Sequence, residues 1–387
     1  MPGQSGRARP ETLMPDPAAT KPNRSVTIEP GLSSRDNNFF MMRLVAAIVV
    51  IFNHSFDLVG STSLLAPVDG FLGRTLAVDV FIISGGLLLV PSFQRRPRPW
   101  QFMYNRALRI YPALFVTVVG FALFVAPWLT TLSVGEYFSH GQTWRHIFKQ
   151  ISVVMREHEL PGVFTDNVNT SVNGALWTLR VLLFYYVFVS ITGALRMLEP
   201  GWRSAIGLGG SVVISGLLVS GYVPKFWPGA LDQTIQYAPT FTAAMLISVY
   251  RKWIPQAWWL ALAALLLVLL LSPVGWGQAL AAGGAVYVMT YVGCLKIGWI
   301  RWFDRLPEIS LGLYVYAFPV QQAAIDLFPE AGAITNFLIA FPITVVLAWL
   351  SMRLIEVPLI KRLSLKNKPA AVKPKTTSPP SEAVPHA

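Results

Sequence analysis

Cysteine and charge are both scarce in this chain, and each shortage removes a class of protein. The one cysteine, Cys294, lies inside an apolar run, which excludes a disulfide framework and a cysteine-ligated metal site. The five histidines, His54, His140, His146, His158 and His386, are scattered. None belongs to an HExxH or comparable spacing, so no metal is expected. Charged residues make up only 13% of the chain against 53% in the hydrophobic class, and mean hydropathy is +0.51. That balance excludes an ordinary soluble domain. A GxSxG nucleophile elbow is missing, and no period of about 20 to 50 residues repeats, which weighs against a transporter built on inverted repeats.

What is present is apolar sequence in span-sized pieces. Ten segments, at roughly 39–59, 71–91, 111–129, 175–193, 204–222, 234–250, 256–273, 278–295, 308–328 and 333–355, approach the ~20 residues that a bilayer requires. The chain therefore reads as an all-α polytopic membrane protein with about ten transmembrane helices. Lys and Arg gather in the tails and in alternate loops, which by the positive-inside rule puts both termini in the cytosol. The net charge of +12 then follows from topology and anionic lipid and calls for no nucleic acid. Residues 1–38 and 363–387 are rich in Pro, Ser and Lys or Arg and read as disordered cytosolic tails around a 39–362 domain. The long outer loop, about 130–174, holds Trp144, Ile147, Phe148, Ile151, Val154 and Met155 at helical spacing; this predicts an interfacial amphipathic helix.

Two polar residues stand out in the first span, NNFFMMRLVAAIVVIFNHSFDLVG. Arg43 and His54 are eleven positions apart, about three turns plus roughly 20°, so they project from one face about 16 Å apart along the axis. Taken singly, snorkelling explains the arginine and a helix–helix hydrogen bond explains the histidine. Asp79 on the second span lies near the expected depth of His54 and would orient its imidazole, or else pair with Arg43. Ser84, Gly85 and Gly86 predict close helix packing. Arg106 and Arg109, three apart and just before Tyr111 and Pro112, form a paired cation at the inner mouth. Topology accounts for such a pair, and so does a phosphorylated ligand.

From about 39 to 362 the chain resembles the membrane-bound acyltransferase family 3, the integral-membrane O-acyltransferases that modify bacterial surface polysaccharides. The resemblance rests on Arg43 and His54 with ten residues between them, on AVDVFIISGGLL with Asp79 and Ser84, and on RALRIYPAL with Arg106, Arg109, Tyr111 and Pro112. It continues in ISLGLYVYAFPVQQ with Ser310, Tyr314 and Pro319, and in LSMRLIEVPLIKRL with Glu356 and Pro358. Two positions depart from the family. Leu182 stands where a Glu usually follows the Trp177-Thr178-Leu179 motif, and Ala317 stands where many members carry a histidine.

The resemblance implies a multi-pass protein of the bacterial inner membrane, surrounded by membrane lipid. It implies acetyl-CoA as cytosolic acyl donor and a saccharide acceptor on the outer side. His54 would be the general base, with Asp79 orienting it and Arg43 assisting; Arg106, Arg109 and Tyr111, again with Arg43, would bind the donor. Ser84, Trp177, Arg180, Tyr314, Gln321 and Glu356 would line the substrate cavity. Direct transfer is favoured over an acyl-enzyme. A flippase for a lipid-linked saccharide and an inactive family member are the competing readings. Glu157 or Glu159 would stand in for the missing carboxylate, and Leu182→Glu, paired with Arg180 or another cavity cation, is expected to raise transfer.

Overall fold

A computed structural model of the chain describes residues 27–33, 37–65, 76–153, 157–221, 223–271, 277–298, 303 and 306–364. Within these residues the regular structure is helical: α1 (Glu29–Ser33), α2 (Phe39–Leu58), α3 (Leu76–Gln94), α4 (Pro99–Leu129), α5 (Val134–Ser139), α6 (Gly141–Ser152), α7 (Gly174–Ala194), α8 (Trp202–Val219), α9 (Asp232–Val249), α10 (Trp258–Leu271), α11 (Gly277–Cys294), α12 (Ser310–Leu327) and α13 (Ala333–Leu363). The ten longest track the ten expected spans. Six of them, α2, α3, α4, α7, α8 and α13, are each long and apolar enough to cross a membrane unaided.

The third helix differs most from expectation, because it begins at Pro99 rather than near residue 111. Pro99 fits the first turn, where its missing N–H costs nothing. Phe102 and Ile110 then bury toward the bundle while polar residues lie between them. Arg106 and Arg109, three apart as on a helical turn, consequently sit well inside this helix rather than just ahead of it.

Helices α2, α3, α4, α7, α9 and α12 meet around one apolar core that includes Val50, Ile82, Leu114, Leu179, Phe241 and Val315. The α8, α10 and α13 helices turn most of their apolar surface outward. Close packing of α3 on α9 explains Gly86: a Cβ there would lie 2.7 Å from the Ala244 Cβ and 2.7 Å from the Phe241 carbonyl. The expected packing role of the Ser84-Gly85-Gly86 stretch is thus what the helices show, and Ser84 turns its hydroxyl back to the Phe81 carbonyl (3.1 Å).

The part of 1–38 that the structure describes is not a free tail. Ile28 and Leu32 are buried against Phe39, Leu87 and Cys294. The Ile28 N–H donates to the Ile254 carbonyl (3.1 Å), and Asn38 donates to the carbonyls of Val292 and Leu295 (2.8 Å each). The remaining tail residues, 1–26 and 365–387, lie outside the described residues.

Candidate active site

Arg43 lies in the second turn of α2, and an apolar helix end carries a guanidinium only where something receives it. Its Nη2 donates to Glu308 Oε1 at 2.8 Å, and Arg109 Nη2 of α4 pairs with Glu308 Oε2. One carboxylate just ahead of α12 therefore ties the first and third spans together. Arg106, one turn before Arg109, points elsewhere. It donates to Ser92 Oγ (2.5 Å), its guanidinium lies 5.1 Å from the Phe102 ring centre and 5.9 Å from that of Tyr186, and its buried Nε has no partner among the described residues.

Glu356 closes the cluster from α13. It sits at the end of a π-turn, Met352–Glu356, and accepts from Ser351 Oγ (3.0 Å), which in turn receives the Tyr316 hydroxyl (2.7 Å). Its charge lies within electrostatic reach of Arg109. Wide turns of this kind often accompany functional sites. Tyr111 takes no part in this charge cluster; it lines an apolar hollow with Ile110, Val153, Leu179 and Tyr186.

His54 is eleven residues on, near the other end of α2. Its Nδ1 is 3.6 Å from Asp57 Oδ2 and its ring packs edge-on against Phe318, 5.4 Å between centres. Asp79 is not the group beside it. Asp79 is fully buried in the first turn of α3 and accepts from Thr240 Oγ1 of α9 at 3.4 Å. The carboxylate nearest the imidazole is thus Asp57, on the next turn of the same helix, because α3 turns Asp79 toward α9. Arg43 likewise pairs with Glu308 rather than Asp79.

Gln321 is a clamp rather than a cavity wall. It is fully buried, and its Nε2 donates to the Ile51 carbonyl (2.7 Å) and Ser55 Oγ (2.6 Å), fixing the turn of α2 that carries His54. Its neighbour Gln322 accepts from Asn167 (3.0 Å) and donates to the Ser171 carbonyl (2.7 Å), fixing the long loop. Tyr314 donates to the Ala175 carbonyl (2.9 Å) at the start of α7. Ala317 packs with Ala47 and Ile51; the closeness of α12 to α2 leaves that position filled by a methyl group.

On α7, Arg180 is buried and donates to Gln233 of α9 (3.2 Å), and Trp177 stacks on Tyr237 with 6.0 Å between ring centres. Leu182 packs against the main apolar core. A cavity of about 10 Å³, room for about one water, is lined by Gln150, His158, Trp177 and Arg180 with apolar neighbours.

The long loop supplies Gln150 and His158 because it folds back on α4. In α6, Thr143, His146, Ile147 and Gln150 are buried, while Trp144 and Phe148 are exposed. The apolar stripe expected to lie at an interface is therefore split between two faces, and the polar face turns inward. Val154 and Met155 of that stripe lie outside the described residues. Glu157 pairs with Lys149 (2.8 Å) and Glu159 accepts from Thr170 (2.7 Å), so both expected substitute carboxylates are engaged within the loop itself.

Reading the sequence did not anticipate Glu308, Asp57 or the Tyr316–Ser351 link. The one available signal for Glu308 was an acid standing close before a span in a stretch rich in cations.

The family model described as an acyltransferase domain matches residues 37–353. An O-acetyl transferase of Shigella phage Sf6 is 26% identical over 340 residues, covering 86% of this chain and 98% of the phage protein. Nodulation protein 10 of Rhizobium leguminosarum bv. viciae is 31% identical over 196 residues, 49% of this chain and 51% of that protein. No solved structure matches.

Proposed function

Because the chain belongs to this acyltransferase family, we propose that it is a membrane O-acetyltransferase that moves an acetyl group from acetyl-CoA to a hydroxyl of a sugar. The observation that carries the reading is the layout of α2. One end brings Arg43 into a cluster with Arg109, and the other end presents His54 on the same face, about 16 Å along the axis. Arginines at one end suit phosphate oxygens, and a partly exposed imidazole at the other suits a hydroxyl. The near full-length similarity to a protein named O-acetyl transferase supports the acetyl group. Charge distribution supports a cytosolic Arg43 end and an outward His54 end in a bacterial inner membrane.

In this reading Arg43, Arg106 and Arg109 hold the phosphates of the donor, whose acyl thioester reaches toward His54. His54 Nε2 takes the proton of the sugar hydroxyl while the Asp57 carboxylate, 3.6 Å from Nδ1, favours the positive charge that the imidazole gains. The hydroxyl oxygen bonds to the thioester carbonyl carbon, the carbon–sulfur bond breaks, and the thiolate leaves with the proton that His54 carried. Gln321 keeps the imidazole in place through its hold on Ile51 and Ser55. Direct transfer needs no further nucleophile.

Replacing His54 with Ala should lower acetyl transfer by at least about 100-fold, the lower bound for a lost general base. Acetyl-CoA binding to detergent-purified protein should persist. Wild-type turnover in that variant would remove the general-base role, and wild-type protein that binds no acetyl-CoA would remove the donor.

A further inference from the structure

The cluster at the Arg43 end contains a group that donor binding does not use, Glu308, and it occupies the place where a phosphate would be held. Its two oxygens accept from Arg43 and Arg109, on two different helices. The fork of guanidinium N–H groups that a phosphate would need is already filled by a carboxylate.

Three features make that occupation reversible. The side chains of Arg43, Glu308 and Arg109 retain 22%, 35% and 44% of their accessible surface, so a ligand can reach them, and ion pairs this exposed are held only weakly. Charge favours exchange: Arg43 and Arg109 share the one carboxylate of Glu308, with Arg106 and Glu356 within electrostatic reach, and a diphosphate brings more negative charge than one carboxylate. Glu308 also has somewhere to go. It lies two residues before Ser310, the first residue of α12, where the positive end of the helix dipole receives a carboxylate released from the arginines.

We propose that Glu308 is a displaceable counter-ion: in the empty site it keeps Arg43 and Arg109 together, and it yields them to a phosphate or diphosphate group when ligand arrives. It is a positioning and selectivity residue. A ligand must carry enough negative charge to outcompete a tethered carboxylate, so weakly charged thioesters are excluded. This rests on the donor reading above, and the test separates the two.

Binding of acetyl-CoA and of inorganic pyrophosphate is measured by calorimetry on the detergent-purified full chain, wild type against Glu308→Gln. Removing the competing charge should tighten both by about tenfold, the value of one charge-assisted hydrogen bond. Unchanged or weaker binding of both ligands in Glu308→Gln would make Glu308 a permanent structural tie and overturn the proposal. Tighter pyrophosphate binding without any acetyl-CoA binding to either protein would uphold the counter-ion and remove the donor reading instead. Should the Gln variant fail to insert, Glu308→Asp carries the same test: its shorter reach releases one arginine, so pyrophosphate affinity should rise, and no rise overturns the proposal.

Discussion

A single side chain, Leu182, decides whether a family comparison can be carried onto this chain residue by residue. The expectation that Leu182→Glu would gain activity depended on Arg180 or another cavity cation as its partner. Arg180 is turned to Gln233 of α9, and Leu182 packs on the apolar core two positions further on. Residues two apart point about 200° from each other on a helix, so a glutamate at 182 would not face Arg180. The variant should lose about 2–3 kcal/mol, the usual cost of a charge placed among apolar groups in a membrane. A lower melting temperature in detergent, with no gain in transfer, checks this. Arg43 and His54 stood out in the sequence because ionisable groups in spans are conspicuous, and Arg109 because it lies three residues from Arg106 just before a span. Glu308 did not, since its importance comes only from the two arginines that three-dimensional convergence sets opposite it, whereas Asp57, three residues from His54 on the same helix, was in view and passed over.

At the level of elements, hydropathy located the spans, and amphipathic stretches were harder to place. The α4 helix extends twelve residues before its expected start because alternating polar residues hide a helix from a hydropathy window. The outer-loop helix α6 shows the opposite difficulty: its periodicity was visible, but periodicity does not say which face turns inward. His146 records the answer. It donates from Nδ1 to the Glu159 carbonyl (3.2 Å), and burial pushes its imidazole down from 6.5 to about 4. A histidine held neutral by the fold adds stability that is complete above the unfolded value and is lost as pH falls toward the folded one. The window thus runs from 6.5 down to about 4, and the loss reaches at most about 3 kcal/mol. Glu157, kept low by its hydrogen bond to Lys149, stays ionised through most of it. Hydrogen-exchange protection across residues 141–152, corrected for the intrinsic pH dependence of exchange, should fall below pH 6.5, and His146→Asn should flatten that dependence.

Across the whole molecule the bundle was the most legible feature, since span length and loop charge are set by the bilayer rather than by any single contact. The ends of the folded unit were not. Similarity to the family begins at residue 37, and composition alone places a tail boundary close by. Yet Ile28 and Leu32 fill a recess beside Cys294, with Ile28 hydrogen-bonded to Ile254. The hem of the fold lies about ten residues ahead of its recognisable sequence. A chain trimmed to start at Asn37 would uncover that recess and forgo roughly 3–6 kcal/mol of apolar burial from the two side chains, whereas one starting at Ser25 would not. A thermal-shift comparison of the two trimmed chains should therefore show a drop for the shorter one only. Family similarity in such a protein marks where the chemistry is written, and tailoring it to that outline would leave the garment to unravel from its edge.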